Sequence, residues 1–97
     1  MREVASHVLP KGAEVILFGS RARGDARTDS DWDILILIDG GKATGEDFEK
    51  FAYPFVDYGW SVGEQINPLI YSFEDWSKRS ITPFYKNVQL EGVRLCH

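Results

Sequence analysis

The chain has 97 residues, 43% hydrophobic and 27% charged, with a net charge of −4 and one cysteine. These values describe an ordinary globular chain and argue against disorder, fibrous structure and a disulfide framework. The acidic balance argues against direct nonspecific binding of nucleic acid, which needs a basic surface to displace counterions. The longest apolar run, Ile34 to Ile38, is far short of the roughly 20 residues that span a bilayer. With no cationic start followed by an apolar stretch, and with Cys96 alone, the expectation is a single cytoplasmic domain over residues 1–97. So short a chain buries a modest share of its surface, which favours burial against a partner or a second copy of itself.

In chain order, Val4 and Val8 stand at i, i+4 ahead of Pro10 and Gly12 and predict a short N-terminal helix. Glu14–Phe18 is a compact apolar run stopped by Gly19, hence a buried strand. Ser20–Arg23 fits one helical turn that Gly24 ends, with a polar loop over 25–30. Asp31–Ile38 follows as a strand, and its unbroken apolar character beyond Asp33 predicts burial on both faces. Thr44 is an N-cap, with Glu46 and Asp47 favouring the helix dipole. Phe48, Phe51, Ala52, Phe55 and Val56 then recur at helical spacing, with Pro54 expected to kink or shorten the helix. Ser61–Tyr71 reads as a third strand in which Pro68 marks an edge or bulge. Ser72 caps a short helix containing Trp76, and Thr82-Pro83 opens a last helix reaching about Gly92. Val93–Cys96 reads as a short final strand.

Two local patterns carry chemistry. A strand that runs into Gly19-Ser20 and a helix start presents backbone N–H groups that favour an anion. Gly19 admits close approach because no Cβ intervenes, Ser20 adds a hydroxyl, and Arg21 or Arg23 suits a phosphate through its guanidinium. Asp31 and Asp33 stand two apart on a strand, on one face and about 7 Å apart at Cα. A divalent cation relieves the repulsion and lost hydration of two such carboxylates, and oxygen ligands select a hard ion such as Mg²⁺. Each pattern alone is weak; a glycine turn and a pair of surface acids are both common.

Together they are specific. G-S-R-A-R-G at Gly19–Gly24, then S-D-W-D at Ser30–Asp33 and an apolar strand, resembles the nucleotidyltransferases of the DNA polymerase β superfamily. Within it the chain is similar to the minimal nucleotidyltransferases, single-domain proteins of about this length, many of them antitoxins. The resemblance implies an α+β fold with a small mixed sheet and helices packed mainly on one face. It implies transfer of a nucleoside monophosphate, AMP from ATP or another NTP, to a hydroxyl of a protein partner or a small molecule, with two Mg²⁺ ions. Gly19, Ser20, Arg21 and Arg23 fall at nucleotide-binding positions, and Asp31 and Asp33 at the catalytic metal ligands. A helical toxin encoded beside the chain is the implied partner.

One position departs from the resemblance. The family places a third acid on the strand ahead of Ser72, and here Asn67 falls there. Asparagine offers a carbonyl to a metal but no charge and no general base. Glu64 is the nearest acid, at an odd separation from Asn67 and so on the opposite face unless a bulge near Gly63 or Pro68 shifts the register. The alternative function is therefore a catalytically weak or inactive module of the same fold that neutralises a toxin by covering it.

Overall fold

The structure, a computed structural model, describes residues 2–24 and 31–96. The expected 25–30 loop lies outside the described residues. The elements in order are α1 (Arg2–Val8), β1 (Glu14–Phe18), α2 (Ser20–Arg23), β2 (Trp32–Ile38), α3 (Gly45–Asp47), a π-helical segment (Phe48–Ala52), α4 (Tyr53–Val62), β3 (Ile66–Ser72), α5 (Phe73–Ser77), α6 (Pro83–Glu91) and β4 (Val93–Cys96).

The four strands form one mixed sheet in the order β3-β2-β1-β4. β1 is antiparallel to both β2 and β4, while β2 and β3 run parallel. A parallel pair needs a long crossover, and the helical run from Gly45 to Val62 supplies it. Strand alternation divides the core. Ile34, Ile36 and Ile38 point to one face, where Val15, Leu17 and Ile66 join Ala5, Ala52 and Phe55 from the helices. Leu35 and Leu37 point to the other, against Trp76 and Val88 from α5 and α6. The central strand is thus buried on both sides, as its apolar run predicts. The fold is α+β: α1 and the long helical run cover one face, and the shorter α5 and α6 cover the other.

The polar residues expected to start helices do so. Thr44 closes a capping box with Asp47, its Oγ1 accepting from the Asp47 N–H at 3.2 Å while its own N–H donates to Asp47 Oδ2 at 2.9 Å. Ser72 accepts from the Asp75 N–H at 3.0 Å although it is fully buried, and Thr82 accepts from the Tyr85 N–H at 3.2 Å.

Two expectations are corrected. Pro54 does not end its helix early, since α4 runs on to Val62. The turn ahead of it widens to π geometry, with the Tyr53 N–H bonding the Phe48 carbonyl, and Pro54 enters in the first turn of α4, where its missing N–H costs nothing. The third strand starts at Ile66 and not at Ser61. Ser61 and Val62 complete α4, and Gly63 stops it in the left-handed conformation at φ 76°. β3 is an edge strand, which accommodates Pro68, and its register against β2 runs without a bulge.

Gly59 lets α4 approach the lead-in to β3. A Cβ there would lie 2.7 Å from the Glu64 carbonyl oxygen and 3.1 Å from Ile66 Cγ1. Gly59→Ala is expected to destabilise the fold by about 1–3 kcal/mol through this overpacking, read as a lower denaturant midpoint at unchanged slope.

Candidate active site

β1 leaves the sheet at Gly19, whose φ of 77° and ψ of −159° lie in a region essentially restricted to glycine. α2 follows at once: the Ala22 and Arg23 N–H groups bond the Gly19 carbonyl at 3.1 and 3.2 Å, and Gly24 ends the turn at φ 82°. The Ser20 amide therefore lies ahead of the helix's own hydrogen bonds. The antiparallel register pairs Phe18 with Asp33, which sets Gly19 beside the Asp33 carboxylate. A Cβ on Gly19 would sit 2.6 Å from Asp33 Oδ2. Backbone conformation and close approach both require glycine here.

Asp31 stands just before β2 and Asp33 on it, both half-buried. The parallel register places Asn67 opposite Asp33, and its Nδ2 donates to Asp31 Oδ2 at 2.9 Å. Asp31, Asp33 and Asn67 thus share one face at one end of the sheet. The Asn67 oxygen meets Gln65 Nε2 at 3.5 Å, a long contact. Glu64 is placed elsewhere. It accepts from Trp32 Nε1 at 3.3 Å and lies 3.7 Å from the Arg21 guanidinium, on the side Trp32 takes between the two aspartates.

The two arginines of α2 diverge. Arg21 lies 4.4 Å over the Trp32 ring, on the reverse of the carboxylates. With Glu64 and Trp32 it ties α2 to the start of β2 and the approach to β3. Arg23 goes the other way, pairing with Glu91 of α6 at 3.3 Å. Between the end of β1 and α6 lies a cleft of about 220 Å³ lined by Phe18, Gly19, Arg23, Phe84, Asn87, Val88 and Glu91. The polar residues of this cleft on α6, Asn87 and Glu91, had no motif to mark them; only the packing of α6 against β1 brings them over Gly19.

The donor set of Asp31, Asp33 and the Asn67 amide is all oxygen in its metal-binding capacity, which fits a hard divalent cation. Among the described residues no group of three or more acids, histidines or cysteines converges on such a site. Among the described residues, the negative charge on this face is that of two carboxylates, Asp31 and Asp33. Among the same residues, no helix is long and apolar enough to cross a membrane.

Residues 1–89 match the family model of the nucleotidyltransferase domain. The chain belongs to this family. It is 37% identical over 79 residues to a protein of Methanocaldococcus jannaschii named "Putative protein adenylyltransferase", a match covering 81% of this chain and 73% of that one. The fold superposes on a chain of a solved toxin–antitoxin complex with AMP-PNP at a TM-score of 0.65 and 18% identity, covering 96% of this chain and 67% of that one. The minimal-nucleotidyltransferase reading of G-S-R-A-R-G and S-D-W-D therefore holds. In this nucleotidyltransferase, the two motifs are neighbours in space because β1 and β2 pair antiparallel with Phe18 against Asp33.

Proposed function

We propose that this chain transfers AMP from ATP to a hydroxyl of a protein partner or small molecule, releasing pyrophosphate, and acts in the cytoplasm as the antitoxin of a toxin–antitoxin pair. The observation that carries the reading is the Gly19 turn set directly against Asp33, with Asp31 on the same face. Phosphates bind where backbone amides are open and no side chain intervenes, and the adjoining carboxylates mark where a cation meets them. The adenylyltransferase name of the archaeal relative supports the adenine donor, and the toxin–antitoxin complex supports the partner.

In this reading the Ser20 amide and hydroxyl hold the donor phosphates, and Arg23 balances their charge once it leaves Glu91. Asp31 and Asp33 would hold Mg²⁺, with Asn67 fixing the Asp31 carboxylate. A divalent cation held by these carboxylates would supply charge neutralisation for the transferring phosphoryl group. The acceptor oxygen bonds the α-phosphorus as the bond from phosphorus to pyrophosphate breaks, and the hydroxyl proton leaves to water. Arg21 belongs to the scaffold. Arg21→Ala is expected to cost about 1 kcal/mol of stability from the lost stacking and ion pair with little change in nucleotide affinity. Arg23→Ala is expected to do the reverse, and melting curves beside nucleotide titrations separate the two.

A second reading is favoured by one observation, the amide of Asn67 at the register position of Asp33. An amide cannot take the proton of the attacking hydroxyl, so a module that neutralises its toxin by complex formation alone is the rival. Co-expression of the toxin with the Asp31→Ala, Asp33→Ala double variant decides between them. Lost neutralisation with an intact complex supports transfer; full neutralisation supports binding.

A further inference from the structure

We infer that the cleft between β1 and α6 seats the nucleobase of the donor nucleotide, an assignment that rests on the nucleotidyl-transfer reading above. Gly19 belongs both to the phosphate turn and to the cleft wall, so a ligand lying on the turn adjoins the cleft. Direction then separates the donor side from the acceptor side. Across the sheet the order is Asn67 on β3, Asp33 on β2 and Gly19 at the end of β1. Attacking and leaving oxygens stand roughly in line across a transferring phosphoryl group. With the leaving phosphates on the Gly19 side, the acceptor approaches from the β3 side. The cleft lies on the donor's side.

Its chemistry selects the base over the polyphosphate. Phe18 and Phe84 meet edge to face, ring centres 5.3 Å apart, and with Val88 they give an apolar wall suited to a flat ring. The Glu91 carboxylate in the same wall is paired with Arg23 at 3.3 Å, so the wall offers no surplus positive charge beyond the phosphates that Arg23 meets. Asn87 makes no side-chain hydrogen bond among the described residues, and a carboxamide matches the paired donor and acceptor of an adenine edge. At about 220 Å³ the cleft is smaller than the roughly 300–1,000 Å³ of pockets that enclose a whole drug-sized ligand. It takes a ring system and leaves the sugar outside.

Calorimetry tests this with two probes in Mg²⁺: α,β-methylene-ATP, whose bond at the transferring phosphorus does not break, and inorganic tripolyphosphate, which has no base. Asn87 is exposed on α6, so both Asn87→Ala and the plugging variant Asn87→Trp keep the core intact. Asn87→Ala is expected to weaken the ATP analogue about tenfold, the worth of one or two hydrogen bonds, and to lose discrimination against the guanine analogue. Asn87→Trp weakens it further, and neither variant changes tripolyphosphate affinity. Unchanged affinity for the analogue, or equal losses for both probes, overturns the assignment while leaving the transfer reading intact. If the wild-type chain binds neither probe, the transfer reading fails and the cleft assignment falls with it.

Discussion

Asp33→Asn is expected to lower AMP transfer by about a thousandfold, the upper range for removing one preorganised electrostatic contact from a reacting phosphoryl group, with the fold intact. The substitution keeps size and shape but removes one of the two charges and turns one acceptor oxygen into a donor. Because Asp31 already receives the Asn67 Nδ2 at 2.9 Å, and no further acid, histidine or cysteine completes a group among the described residues, none of those residues replaces the lost carboxylate. Asp33 also faces the Gly19 turn, so its charge acts where the cation and phosphates meet. An unchanged melting temperature beside a collapsed rate identifies the loss as chemical. Raising the Mg²⁺ concentration is expected to recover only a small part of the rate, since the weakened ion is also wrongly placed.

Gly19→Ala has the second largest expected effect, and it acts through geometry. A Cβ at this position meets Asp33 Oδ2 at 2.6 Å. The φ of 77° with ψ of −159° adds backbone strain of about 1–3 kcal/mol for any other residue. The chain escapes both penalties only by moving the turn away from β2 or by turning Asp33 off its rotamer. Either movement spoils the cradle. Transfer is expected to fall about a hundredfold, in line with the cost of an ångström-scale misplacement, together with a lower melting temperature. The joint loss distinguishes Gly19→Ala from Asp33→Asn. Gly24 offers a control: a Cβ there meets nothing within 4 Å, so although its φ of 82° carries strain it leaves the carboxylates undisturbed.

What the sequence made legible follows from how local each signal is. β1 and α2 match their expected bounds because an apolar run ending in glycine and a one-turn helix closed by Gly24 are decided within a few residues. The caps at Thr44, Ser72 and Thr82 are equally local, each hydroxyl serving an amide three residues on. The end of α4 was harder. Ser61, Val62 and Gly63 alternate in the manner of a strand, and what keeps the first two helical is the packing of Gly59 and Phe55 under the sheet. The π turn ahead of Pro54 has the same origin: the ring removes a donor, and tertiary packing decides that the helix continues. The candidate site divides along the same line. Asp31 and Asp33 on one face follow from strand periodicity, and so does Trp32 on the other. The opposite directions of Arg21 and Arg23 depend on partners 43 and 68 residues away, Glu64 and Glu91, which no local pattern discloses. Asn67 against Asp33 follows from the parallel register, and that register brings an amide, and not a third carboxylate, to the face of the aspartates.

The most direct measurement is transfer itself. Wild-type chain, ATP labelled at the α-phosphate, Mg²⁺ and the protein product of the adjacent gene are incubated together, with Asp33→Asn in parallel. Label is expected on a hydroxyl side chain of the partner with wild type, dependent on Mg²⁺, and about a thousandfold slower to appear with Asp33→Asn. No label with wild type under conditions where a related adenylyltransferase works, or equal label with Asp33→Asn, would contradict the assignment of the Gly19 turn and the aspartate pair as the site of nucleotidyl transfer.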